Sequence, residues 1–140
     1  MRYLLESVLV GIYSVIIYLF IQYFISSFTL SLLIVGFVKH YLGYYIGIHT
    51  LYCNYGDRCL KLHNNNTNYI SNNNFIYYYS FFDAFLYFIL GYIFSILLFW
   101  YHNIKIKHII IIFLIGLVIH ILSEKLFIHY FFCITNCNKQ

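Results

Sequence analysis

From Ser7 to Val38 the chain carries not one charged residue. A bilayer core of ~30 Å is crossed by about 20 mostly apolar residues in a helix. The run is therefore too long for one crossing and too short for two. Extended from Tyr3 to Tyr52 it holds two, provided that Lys39 and His40 are admitted inside. Composition closes the water-soluble route. A soluble domain carries roughly 25% charged residues, whereas this chain has 9%, with 63% hydrophobic. So few charges cannot cover a surface that faces water. Disorder is excluded for the opposite reason, because the apolar surface is too large to stay solvated. The reading is a single integral membrane domain over residues 1–140, solvated by lipid.

Within it the pattern predicts helices over about 4–25, 29–51, 76–100 and 108–128. Gln22, Ser26, Ser27 and Thr29 form the polar cluster that turns the chain after helix one, and Ser27 or Thr29 caps helix two. Residues 53–74 hold Asp57, Arg58, Lys61 and two asparagine tracts, and read as an Asn-rich loop. Tyr101 to Lys107 reads as a hydrated turn. Arg2 followed by an apolar run looks like the start of a signal peptide. The run is longer than a signal core, and no small-residue cleavage site closes it, so it reads as an uncleaved first helix. The expected fold class is all-α, a four-helix transmembrane bundle made of two helical hairpins.

Four crossings place both termini, the Asn-rich loop and all four cysteines on one side. Three crossings would separate the loop from the tail. Orientation stays open. Arg2, Arg58, Lys61 and Lys139 against Lys105 and Lys107 make the cysteine side cytoplasmic. Disulfides, and the Asn65-Asn66-Thr67 glycosylation sequon, put it in an oxidising compartment instead.

The few charges inside the helices are the most informative residues. An unpaired charge at a helix centre costs at least ~2.5–3.5 kcal/mol on insertion scales. Lys39 lies about ten residues into helix two and should pair with Asp83 or Glu124. Small and polar residues recur at helical spacing: Ser7, Gly11, Ser14, Tyr18 and Gln22; Gly36, His40, Gly43, Gly47 and Thr50 with Lys39 at the edge; Ser80, Asp83, Tyr87, Gly91 and Ser95; Gly116, His120 and Glu124. Each helix thus has one face for close packing and ion-pair satisfaction. Gly11, Gly36, Gly43, Gly47, Gly91 and Gly116 are its contact points, with Gly43 and Gly47 matching GxxxG. The intramembrane polar cluster is Lys39, His40, Asp83, His120 and Glu124. A proton or ion path through it is the sharper alternative.

Cys53, Cys59, Cys133 and Cys137 are candidates for two disulfides, a four-cysteine zinc site or thiol exchange. Zinc ligand pairs usually stand two to four residues apart, which suits the second pair only. His40, His49 and His120 lie on or near interior faces. Haem ligation by two of them is conceivable, but spacing selects no pair, and a hydrogen-bonded packing histidine is favoured. Trp100, Tyr101, Tyr52, Tyr55, Tyr77, Tyr78, Tyr79 and Tyr130 at predicted helix ends form an aromatic belt. No catalytic residue, cofactor or dedicated metal site is assigned. The basic residues are scattered singly, so no nucleic-acid partner is expected.

Four helices with two cysteine pairs on one side distantly resemble the quinone-linked, disulfide-generating membrane proteins of the vitamin K epoxide reductase type. That resemblance implies a thiol–disulfide oxidoreductase, yet the Cys-x-x-Cys pair of that family is missing here. The stretch from Gly36 through Lys39-His40-Tyr41 to Tyr45, continued by Tyr52-Cys53-Asn54-Tyr55-Gly56, resembles small multi-pass membrane proteins of giant DNA viruses with A/T-rich genomes. This implies a virion inner-membrane or host-membrane protein, with the bilayer and other membrane or capsid proteins as partners. The expected function is a non-enzymatic structural or assembly component. An oxidoreductase, or a small ion or proton transporter subunit, is the alternative.

Overall fold

A computed structural model describes residues 2–56, 59–60, 75–126 and 128–137. Most of the expected Asn-rich loop, with Arg58, Lys61 and Lys139, lies outside the described residues. Among the described residues six helices have both ends defined, in order α1 (Arg2–Phe24), α2 (Phe28–Tyr45), α3 (Ile48–Tyr55), α4 (Phe75–Leu97), α5 (Ile104–Lys125) and α6 (Ile128–Asn136). Among the described residues there is no strand. Among the described residues three helices are long and apolar enough to cross a membrane: Tyr3–Phe24, Tyr77–Leu97 and Ile104–Lys125. The α2–α3 pair makes a fourth if it is counted as one span. The exposed surface of α1 and α4 is aliphatic and aromatic, with Leu5, Leu9, Phe20, Phe81, Phe85 and Tyr92 all outward.

The expected helix over 29–51 is broken. α2 and α3 meet at 75°, because Gly47 sits in the left-handed region at φ 80°. A side chain there is costly, and only glycine visits this region routinely. A Cβ on Gly47 would meet nothing within 4 Å. Gly47 is therefore a turn residue and not a packing contact, which corrects the GxxxG expectation. Gly43 faces His49 on α3 and not another long helix. Ser27 caps α2 as expected, accepting from Leu30 N at 3.5 Å. The turn after α4 is shorter than expected. Asn103 accepts from Ile106 N at 3.3 Å and starts α5 at Ile104, so Lys105 and Lys107 lie in its first turn. The last helix is also divided, with α5 ending at Lys125 and α6 starting at Ile128.

The closest seams run between the two halves of the chain. α2 packs most extensively on α4 and α1 on α5, while α1 with α2 and α4 with α5 are lesser contacts. Two sequential hairpins therefore do not describe the packing. Glycines explain the choice. A Cβ on Gly36 would stand 2.6 Å from Ala84 Cα, and one on Gly116 would stand 3.0 Å from Gly11 Cα. Backbones this close gain dispersion along the whole seam. Serines in the seams are satisfied within their own helices. Ser7, Ser14, Ser31 and Ser95 donate to the carbonyls four residues back at 2.7–2.9 Å, so they bury without an orphaned hydroxyl. The core between the seams includes Ile17, Tyr18, Leu32, Val35, Tyr87, Ile111, Ile115 and Ile119.

Gly36→Ala should lower stability by about 1–3 kcal/mol, because α2 and α4 must separate to admit the methyl group. Thermal unfolding in detergent measures this. An unchanged midpoint would mean that the two backbones are not in contact.

Candidate functional site

Lys39, His40, Asp83, His120, Glu124 and His129 collect at one end of the molecule, where α3 and α6 fold over the long helices. A cavity of about 120 Å³ opens there, lined by residues of all six helices. Lys39 and Asp83 are 7% and 4% exposed. Lys39 Nζ lies 2.5 Å from Asp83 Oδ2, and His40 Nε2 lies 3.2 Å from the same oxygen. Lys39 Nζ also sits 5.0 Å from the centre of the Tyr87 ring, a cation–π contact. Tyr87 OH is 2.6 Å from Ser14 Oγ. Three helices, α1, α2 and α4, are thereby joined around one lysine, and Tyr13 of α1 also donates to the Lys39 carbonyl at 3.3 Å. Of the two acids expected for Lys39, Asp83 takes it. Lys39 lies two-thirds along α2 and on its buried stripe, so it belongs to the capped end and not to the middle of a longer helix.

A second cluster faces the first across the cavity. Glu124 Oε2 is 2.9 Å from His129 Nδ1, and Tyr52 OH is 2.9 Å from the same nitrogen. His120 Nε2 is 3.6 Å from Glu6 Oε2. The His120 and His129 rings are 4.4 Å apart, so the two acid–histidine pairs touch. His40 and His49 approach with ring centres 5.7 Å apart, and His49 Nδ1 is buried without a hydrogen-bond partner. All five residues of the expected polar cluster are thus at this end. Glu6, His129 and Tyr52 are additions. His129 escaped because α6 turns back after Leu126, which a reading of one long helix cannot foresee. Tyr52 and Tyr79 line the cavity, which corrects their placement in an aromatic belt. Tyr55, Tyr77, Tyr78 and Trp100 are exposed, as a belt requires.

The cap is cross-linked. Cys53 is bonded to Cys137 and Cys59 to Cys133. The bonds tie the end of α3 and the residues after it to α6, across 84 and 74 residues of chain. Cross-links over such distances stabilise by about 2–4 kcal/mol each. Phe132 packs with these sulfurs, and Tyr52, Tyr79 and Tyr130 shelter them. Among the described residues, one group of metal-ligating atoms converges: the sulfurs of Cys59, Cys133 and Cys137, within 4.8 Å of one another. The histidines do not converge in this way.

Comparison with known protein families, curated proteins and solved structures gives no match. The chemistry of the site therefore rests on its own geometry. It holds an ion pair, two acid–histidine pairs and a half-buried tyrosine hydroxyl, which can bind or move protons. Among the described residues it shows no nucleophile set beside a general base.

Removing one partner of the buried ion pair, as in Asp83→Leu or Lys39→Met, should cost about 3–5 kcal/mol, since the other charge is left uncompensated. The double variant Lys39→Met/Asp83→Leu should regain most of that loss. A double-mutant cycle on thermal unfolding checks this, and additive losses would mean that the two groups do not interact.

His129 gives a pH dependence. Burial holds its imidazole below the ordinary value of 6.5, the Glu124 hydrogen bond opposes this, and His120 adds to the lowering. The folded state thus takes up a proton less readily than the unfolded chain. The stability contributed by neutral His129 is present above the unfolded pKa and is lost as pH falls below it. The unfolding midpoint should drop between about pH 7.5 and about pH 5.5, where histidines titrate. His129→Gln should flatten that drop, and an equal drop in the variant would assign it elsewhere.

Proposed function

We propose that the chain is a four-crossing integral membrane protein, a four-helix transmembrane bundle whose spans are α1, the bent pair α2–α3, α4 and α5. We propose further that it acts as a non-enzymatic structural or assembly component. One observation carries the reading: the charged groups buried in the long helices meet partners inside the molecule, as Lys39 with Asp83 and Glu124 with His129. The outward faces are left apolar, which suits lipid tails and neighbouring membrane proteins. The resemblance to small membrane proteins of giant DNA viruses makes a virion inner membrane or a host membrane the proposed location. Other membrane or capsid proteins are then the proposed partners. Thiol–disulfide catalysis has less support. Cys59, Cys133 and Cys137 are only 3%, 0% and 7% exposed, and an exchanging pair must meet its substrate.

A proton path is the second reading, favoured by the contact of His120 with His129 between Glu6 and Glu124. His120→Phe separates the two readings. It leaves a purely structural protein assembled, and it abolishes proton flux into liposomes if the path exists.

Four crossings can be checked by labelling. Single cysteines introduced as Ser26→Cys and His102→Cys should react with a membrane-impermeant maleimide from one side. Epitope tags at both termini should be reached only from the other. Tags on opposite sides would reduce the crossings to three and sink the four-span reading.

A further inference from the structure

Three of the four cysteine sulfurs of the cap, those of Cys59, Cys133 and Cys137, converge more closely than two independent cross-links require, and Cys53 joins them through its bond to Cys137. Between the two disulfides, Cys59 Sγ is 3.7 Å from Cys137 Sγ. Cys133 Sγ lies within 4.8 Å of both, and Cys53 is bonded to Cys137. A tetrahedral zinc ion with Zn–S bonds of about 2.3 Å holds its thiolates about 3.8 Å apart. The unbonded separation between the disulfides is therefore already that of one coordination sphere.

We propose that Cys53, Cys59, Cys133 and Cys137 form a redox-exchangeable site for one thiophilic divalent cation, zinc being the natural occupant. With the disulfides intact there is no free thiolate. A dithiol reductant gives each disulfide two electrons and two protons and becomes a disulfide itself. Zinc then displaces the four thiol protons. The balance is two protein disulfides, two dithiols and one zinc ion giving one zinc tetrathiolate, two reductant disulfides and four protons.

The surroundings suit a closed structural site. Cys133 lies in α6 and Cys137 directly follows its last residue, with Cys137 N–H donating to the Cys133 carbonyl at 3.2 Å so that the helical turn brings the two close. Cys53 and Cys59 come from the end of α3 and just beyond it. The unsuitable six-residue spacing of Cys53 and Cys59 ceases to matter, because each pair is completed across the cap. Phe132, Tyr52 and Tyr79 pack around the sulfurs. The same two segments are tied in either redox state, by disulfides in an oxidising compartment and by metal in a reducing one. The basic residues favour a cytoplasmic face for the cap and disulfides favour an oxidising one, and a site that closes in both compartments removes that conflict. None of this depends on the proposed function.

The test uses the full chain in detergent, reduced with a phosphine, freed of reductant without air and titrated with cobalt(II) and then zinc(II). One equivalent of cobalt per chain should give the charge-transfer band of a tetrahedral tetrathiolate, and one equivalent of zinc should abolish it. Cys53→Ser, Cys59→Ser, Cys133→Ser and Cys137→Ser should each lose that spectrum. Absence of the band overturns the proposal, as does a stoichiometry of half an ion per chain. A spectrum unchanged in the serine variants overturns it too. Where reduction loosens the cap, amide exchange in α3 and α6 is the second readout. Zinc should restore the slow exchange of the oxidised protein, and continued fast exchange with zinc present overturns the proposal.

Discussion

A lysine ammonium held against a carboxylate inside a helical bundle sets the register of everything around it. Lys39 and Asp83 are nearly inaccessible, and in a low-dielectric interior neither can stay charged alone. Their contact fixes the height of α2 against α4, where Gly36 meets Ala84. It also fixes the place of Tyr87, whose ring meets the ammonium and whose hydroxyl meets Ser14 on α1. From α1 the register passes to α5, because Gly11 and Gly116 face each other. One electrostatic requirement and two glycine seams thus align the four longest helices. A buried pair of this kind adds little net stability over an apolar replacement. Its contribution is to make other alignments costly.

The cap follows from the same constraint at the next level. The ends of α1, α2, α4 and α5 leave a cavity that gathers Lys39, His40, Asp83 and His120 among mostly apolar side chains. α3 and α6 close it with His49, Tyr52, His129 and Phe132. Both are short, with eight and nine residues. Helices of this length are marginal in isolation. Their positions depend on packing and on the two disulfides that join them.

Much of this was legible in the residue pattern. The small and polar stripes are the buried faces: Ser7, Gly11, Ser14 and Tyr18 on α1, and Ser80, Asp83, Tyr87 and Gly91 on α4. The partnership of Lys39 with an acid followed from the cost of an unpaired charge. The broken helices were not legible, because hydropathy is blind to backbone dihedrals. Gly47 looks the same in a GxxxG seam as in a left-handed turn until its φ is known. Leu126 carries no signal of a break at all. The histidine of α6 and the pairing of cysteines between distant segments depend on those bends, and no periodicity reports them. Nor does spacing show which helices touch, since the seams join residues far apart in the chain.

That last feature bears on how the protein is made. A nascent chain contains α1 and α2 before α4 and α5 exist. The faces carrying Gly11 and Gly36 are complementary to helices not yet synthesised. During that interval Lys39 has no Asp83 to meet, so the first half carries a solitary cation and two unfilled grooves. The order of synthesis thus leaves the charge of Lys39 uncompensated until α4 has been made.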